Sequence, residues 1–130
     1  MQNIKILDKR DALMYNPLTL AYLGDGVYEL LVRERLVSNE NKSNGKLHAQ
    51  AKQYVCADGQ NVGLHKIIEI LTDEETAVFK RGRNADCGKH ANIVAYKKAT
   101  GLEALFGYLY LIGNVERIEE LFDVIYNHTT

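Results

Sequence analysis

Leu20, Leu23, Val27, Leu30 and Leu31 recur at the spacing of one helical face, directly after the chain's single proline. Asn16-Pro17 reads as the start of that helix. Asparagine caps it, and proline takes the first helical position, where a missing N–H is no loss. Similar periodicity returns along the chain, and no segment sustains the two-residue alternation of a half-buried strand. An all-α helical bundle is therefore expected. The predicted helices span 17 to about 36, 46–57, 61–71, 72 to about 82, 92–112 and 115–126. Thr72 and Glu75 form a capping box at the start of the fourth. Gly113-Asn114 stops the long fifth helix, and Ile118, Leu121, Phe122 and Ile125 share a face of the last. Ser38–Gly45 and Arg83–Ala91 read as loops.

A chain of 130 residues that is 46% hydrophobic and 25% charged fits one globular domain over residues 1–130 and excludes a disordered one. Cys56 and Cys87 make no disulfide framework, and no CxxC or HxxxH spacing suggests structural zinc. Met1–Asp11 lacks the apolar stretch of a signal peptide. The apolar run from Ala99 to Val115 carries Glu103 and reads as a core helix, not a membrane span. A soluble cytoplasmic protein with reduced thiols is expected.

Charge is unevenly placed. Lys80, Arg81, Arg83, Lys89, Lys97 and Lys98 face a single acid, Asp86, between residues 80 and 98, although the whole chain has a net charge of −1. That segment is either an anion-binding surface or a solvated face.

Two acids stand out. Asp25 is the only charge between Pro17 and Tyr28, and Gly24 and Gly26 flank it. Aspartate is a poor helix former, and each glycine costs roughly 1 kcal/mol relative to alanine in a helix interior. Glycines there let another helix, a metal or a ligand approach the backbone. Glu103 is the only charge between Lys98 and Glu116, bracketed by Gly101 and Gly107. A lone buried carboxylate must find a salt bridge, take up a proton or share a cation. Neither acid has a base one turn away: Ala21 and Glu29 neighbour Asp25, and Ala99 and Gly107 neighbour Glu103. Two hard oxygen donors on facing helices suit Mg²⁺, which keeps several waters. The alternative is that each acid meets a lysine or arginine from elsewhere. Glu29 forms an i,i+4 pair with Arg33 on a solvated face.

The peptide Leu20-Ala-Tyr-Leu-Gly-Asp-Gly-Val-Tyr-Glu29 resembles the signature helix of the ribonuclease III family. Ala99-Thr-Gly-Leu-Glu-Ala-Leu-Phe-Gly107 is similar to that family's second acidic motif. Lys80-Arg-Gly-Arg-Asn-Ala85 resembles the basic motif of its short Mini-III branch, which lacks a separate double-stranded-RNA-binding domain. The resemblance covers about residues 15–125. The resemblance implies a ribonuclease III-like helical bundle and a homodimer. It puts Asp25 and Glu103 at the family's essential aspartate and glutamate, as catalytic residues holding Mg²⁺. Ala21 and Thr100 stand where the longer enzymes carry two further acids, and the Mini-III branch is similar in lacking them.

The activity so implied is Mg²⁺-dependent hydrolysis of double-stranded RNA, leaving 5′-phosphate and 3′-hydroxyl ends, with precursor 23S ribosomal RNA as substrate. A ribosomal-protein helper is a candidate partner. Arg81, Arg83, Asn84, Lys89, Lys97 and Lys98 are the expected RNA contacts, extended by His48 and Lys52, and Asp86 weakens that loop's attraction for RNA. Tyr15, Tyr22, Tyr28 and Leu31 are candidate dimer contacts or ordinary core residues. Ser38, Ser43 and His65 show no nucleophile or acid–base arrangement. The rival readings are a non-catalytic RNA-binding module of the same fold and a helical protein-binding adaptor.

Overall fold

The computed structural model describes residues 5–86 and 93–127. In chain order its helices are α1 (Lys9–Leu13), α2 (Pro17–Asn39), α3 (Asn44–Val55), α4 (Ala57–Ile67), α5 (Asp73–Asn84), α6 (Val94–Leu111) and α7 (Val115–Asn127). A 3₁₀ turn, Ile68–Ile70, follows α4. No strand occurs among the described residues, so the fold is all-α. Among them, no helix is long and apolar enough to cross a membrane.

Local chemistry accounts for the helix ends. Asn16 accepts a hydrogen bond from the Leu18 amide, and Pro17 opens α2 as expected. The capping box at Thr72 and Glu75 is present in both directions. Gly113, at φ 74°, ends α6 in the left-handed region that favours glycine. Three starts differ from the sequence expectation. α1 was not anticipated, because its five residues are too few to show a period; Asp8 caps it through the Asp11 amide. Ser43 caps α3, which moves that start back from Lys46 to Asn44. Cys56 accepts from the Gly59 amide, so α4 begins at Ala57 and not at Asn61.

α6 is the central element and packs against α2, α5, α4, α7 and α1. From Ala99 to Leu109 every residue of it is buried except Glu103, which is half-buried. A helix apolar on all sides needs neighbours on all sides. α7 lays its predicted face, Ile118, Leu121, Phe122 and Ile125, into the same core. Arg117 of α7 ties that layer to α5 through two 2.8 Å hydrogen bonds to Glu75 and one of 2.7 Å to the Ile70 carbonyl.

The closest approach is between α2 and α6. A methyl group on Gly24 would overlap the Glu103 carbonyl and lie 2.8 Å from the Gly107 nitrogen. One on Gly107 would overlap the Leu20 carbonyl and lie 3.1 Å from the Gly24 nitrogen. The two glycines let the backbones touch. Gly26 meets nothing, so the expected close approach belongs to Gly24 alone. Gly101 relieves a second crossing instead, where Phe79 and Gly82 of α5 pack on α6.

Gly24→Ala is expected to destabilise the fold by about 1–3 kcal/mol or more, because backbone atoms cannot move aside as side chains do. Gly45→Ala, in open space at the start of α3, is expected to be neutral or stabilising by up to about 1 kcal/mol. Urea unfolding of the two variants checks the difference.

Candidate active site

The α2–α6 crossing decides what lies beside it. Asp25 follows Gly24 in sequence, and the Glu103 carbonyl is the group that Gly24 abuts. The Asp25 side chain lies near enough to act on the Glu103 carboxyl by its charge and by a side-chain hydrogen bond. Asp25 is exposed and Glu103 half-buried, which corrects the expectation of two buried charges. The pair sits at the surface, with one member open to solvent. Neither acid forms an ion pair among the described residues, so the alternative of a private base for each is not met there.

Gln60 is the other side chain at Glu103. It is 2% exposed, and its Nε2 donates to Glu103 Oε2 and to the Val55 carbonyl, each at 3.2 Å. Burial raises the Glu103 pKa, the Gln60 hydrogen bond opposes that rise, and the Asp25 charge adds to it; the result is about 7. Burial also pushes the Tyr28 hydroxyl up, with Tyr54 and Glu103 contributing.

Two adjacent carboxyl groups without a basic partner among the described residues could hold a cation. Their oxygens are hard, which fits Mg²⁺ better than a softer metal. No cluster of three or more His, Cys, Asp or Glu suited to a metal occurs among the described residues. Glu29 is engaged with Arg33 at 3.3 Å, as expected. Ala21 and Thr100 are buried, and the Thr100 hydroxyl donates to the Tyr96 carbonyl at 3.0 Å. A cation held here would have two carboxylates from the described residues and would take the rest of its shell from water.

The basic residues divide into groups. Arg81 donates to the Leu13 and Tyr15 carbonyls at 2.9 and 3.0 Å, so its guanidinium already holds the α1–α2 turn. Arg83 stacks 5.7 Å over the Phe79 ring and donates to Asn84. Asn84 and Lys98 are exposed and Lys97 half-buried, on α5 and α6. His48 and Lys52 are exposed on α3, which packs against α2 and α4. Lys89 and Cys87 lie outside the described residues.

Of the aromatic contacts considered for a dimer, Tyr28 belongs to the core. It is fully buried, edge-on to Phe106 at 5.4 Å and Phe122 at 5.6 Å. Tyr22 is 86% exposed and Tyr15 is exposed. Leu31 lines an apolar groove of about 450 Å³ with Leu23, Val27, Leu30, Tyr110 and Ile118.

A helical bundle that crosses two acid-bearing helices at paired glycines defines a class, and the ribonuclease III domain model matches residues 18–114. The chain belongs to the ribonuclease III family. Mini-ribonuclease 3 of Clostridium tetani is 43% identical over 123 residues, covering 92% of this chain and 82% of that protein. Mini-ribonuclease 3 of Symbiobacterium thermophilum is 47% identical over 108 residues, covering 81% and 83%. The crystal structure of protein FN1578 from Fusobacterium nucleatum superposes with a TM-score of 0.80 at 30% identity, covering 90% of this chain and 96% of that one. Within the family the chain falls in the Mini-ribonuclease 3 branch and is an endoribonuclease.

The sequence does not single out Gln60, because its periodicity starts the third helix at Asn61, one residue too late to include it. With α4 beginning at Ala57, Gln60, Gly63, Leu64 and Ile67 share its buried face. A lone amide on such a face was the available signal.

The acid pair has a pH signature. Because the folded-state pKa of Glu103 lies above its unfolded value, the folded protein holds the extra proton between about pH 4.5 and 7. Without divalent metal, this group's contribution to stability is therefore present below that window and lost as pH rises through it. Glu103→Gln is expected to flatten the loss, measured as melting temperature against pH in EDTA.

Proposed function

We propose that this endoribonuclease hydrolyses double-stranded RNA with Mg²⁺ held by Asp25 and Glu103. The observation that carries the reading is the meeting of these two carboxyl groups without a basic partner among the described residues. When bound, Mg²⁺ supplies the Lewis acidity that activates water, polarises the scissile phosphate and stabilises the leaving oxygen. Glu103 anchors one side of the site from α6, and exposed Asp25 presents its oxygens where an RNA backbone can reach them. Water adds to phosphorus as the bond to the 3′ oxygen breaks, leaving 5′-phosphate and 3′-hydroxyl ends.

Recognition is led by duplex shape, since A-form RNA offers phosphates and 2′-hydroxyls. Lys98, Lys97, Arg83 and Asn84 lie near the α5–α6 connection, with Lys89 in that connection by sequence and His48 and Lys52 on α3. Arg81 serves RNA only if it leaves the Leu13 and Tyr15 carbonyls. The proposed substrate is precursor 23S ribosomal RNA in the cytoplasm, with a ribosomal-protein helper as partner. Each domain supplies one acid pair, and cutting two strands takes two. The proposed homodimer uses the apolar face of α2, where Leu23, Val27, Leu30 and Leu31 line the groove and Leu30 is exposed.

Asp25→Asn and Glu103→Gln are each expected to slow cleavage of a long RNA duplex by about 100-fold or more, losing several kcal/mol of charge stabilisation. Duplex binding in Ca²⁺ is retained and falls steeply with salt. Cleavage by either variant at the wild-type rate sinks the metal-pair reading. Leu30→Glu is expected to convert dimer to monomer in sedimentation; a monomeric parent protein sinks the homodimer.

A further inference from the structure

We infer that Gln60 is the positioning residue of the active site, holding the Glu103 carboxylate in the orientation that binds metal. The inference rests on the reading of Asp25 and Glu103 as the metal pair. Gln60 does not touch the metal or the RNA in this assignment; it acts through Glu103.

The geometry leaves the amide one orientation. The Val55 carbonyl and Glu103 Oε2 are both acceptors, so only Nε2 of Gln60 can face them. Two bonds from one nitrogen pin the group, and its burial denies it rotamer freedom. Val55 is the last residue of α3, so the amide bridges the end of α3 to α6. With Oε2 tied back to Gln60, the Glu103 carboxylate is held from within the protein.

Packing alone does not explain a glutamine here. Its Oε1 is buried with no hydrogen-bond partner among the described residues. An unpaired buried acceptor costs roughly 1–3 kcal/mol, which methionine of similar volume would avoid. Around it, Gly63, Leu64 and Ile67 complete the apolar face of α4. A polar group kept against that preference points to work at Glu103, the charged group to which it donates. Outer partners of metal ligands fix the direction of the donor lone pairs, and losing one costs roughly 10–100-fold in metal affinity or activity.

The test compares Gln60→Met with the parent protein. Metal binding is read without RNA, as Mn²⁺ binding by electron paramagnetic resonance. Cleavage is read as the Mg²⁺ concentration giving half-maximal rate on a long RNA duplex. Folding is read by circular dichroism. The expected result is a folded variant with Mn²⁺ affinity weakened about 10-fold or more, a matching rise in the Mg²⁺ requirement, and unchanged KM for RNA at saturating metal. Gln60→Asn keeps an amide but is one methylene too short to span Val55 and Glu103, and it carries the test if Gln60→Met does not fold; the same direction is expected. A folded variant with lower stability and unchanged metal affinity makes Gln60 merely structural and overturns the inference. If Asp25→Asn and Glu103→Gln also bind Mn²⁺ as the parent does, the metal pair itself has failed; if they lose Mn²⁺ and the Gln60 variants do not, only the positioning role has.

Discussion

The contact between the backbones of α2 and α6 is the constraint on which the site depends. A side chain at Gly24 or Gly107 would separate the helices, because the atoms in the way are carbonyls and amides of the opposing helix. Asp25 is one residue from Gly24, and Glu103 contributes its own carbonyl to the crossing. Proximity of the two carboxyl groups is thus a property of main-chain geometry before it is one of side chains. The second crossing, of α5 on α6 at Gly82 and Gly101, presses α6 from another side. Held by both, α6 has little freedom to carry Glu103 away from Asp25.

Glu75 shows what the same side chain does when the fold asks only for stability. Burial would raise its pKa, but hydrogen bonds from Arg117 and Thr72 outweigh burial and hold the carboxyl below its usual range. Glu103 is displaced the opposite way: burial and the acid Asp25 raise it, and one amide is its compensation. The contrast separates a carboxylate that fastens helices together from one without a basic partner among the described residues. The Arg117–Glu75 pair joins α7 to α5, and Arg35 joins α2 to α7 through Asp123 and the Phe122 and Tyr126 rings. Both ties hold the bundle without drawing on the acid pair.

Much of this was legible in the sequence because helices announce themselves by period and caps. Pro17, the Thr72–Glu75 box and Gly113 act through neighbours a turn away, and all three behave as read. The exceptional acids were legible too, since a charge between glycines in an apolar helix violates local preference. What could not be read depends on distant partners. Tyr28 and Tyr22 look alike along the chain, yet one lies between Phe106 and Phe122 and the other faces solvent. Arg81 shares a basic motif with Arg83, but the turn after α1 supplies carbonyls that engage it. Gly24 and Gly26 are equivalent until the crossing selects one of them.

Gln60 combines both kinds of difficulty. Its helix start depends on a thiol cap at Cys56, which is a weaker signal than a hydroxyl or carboxylate. Its partner lies on another helix, 43 positions along the chain. The sparseness of the donor set explains why such a residue should matter. Ala21 and Thr100 are packed into the interior and bring no carboxylate, so in the proposed metal site two acids alone would define the cation's position. With few protein ligands, more of such a cation's shell would be water, and water adapts to whatever orientation the carboxylates present. Precision then has to come from the residues that orient the acids. A buried amide fixed by two acceptors can provide it from within the protein, leaving the solvent side of Asp25 open to substrate.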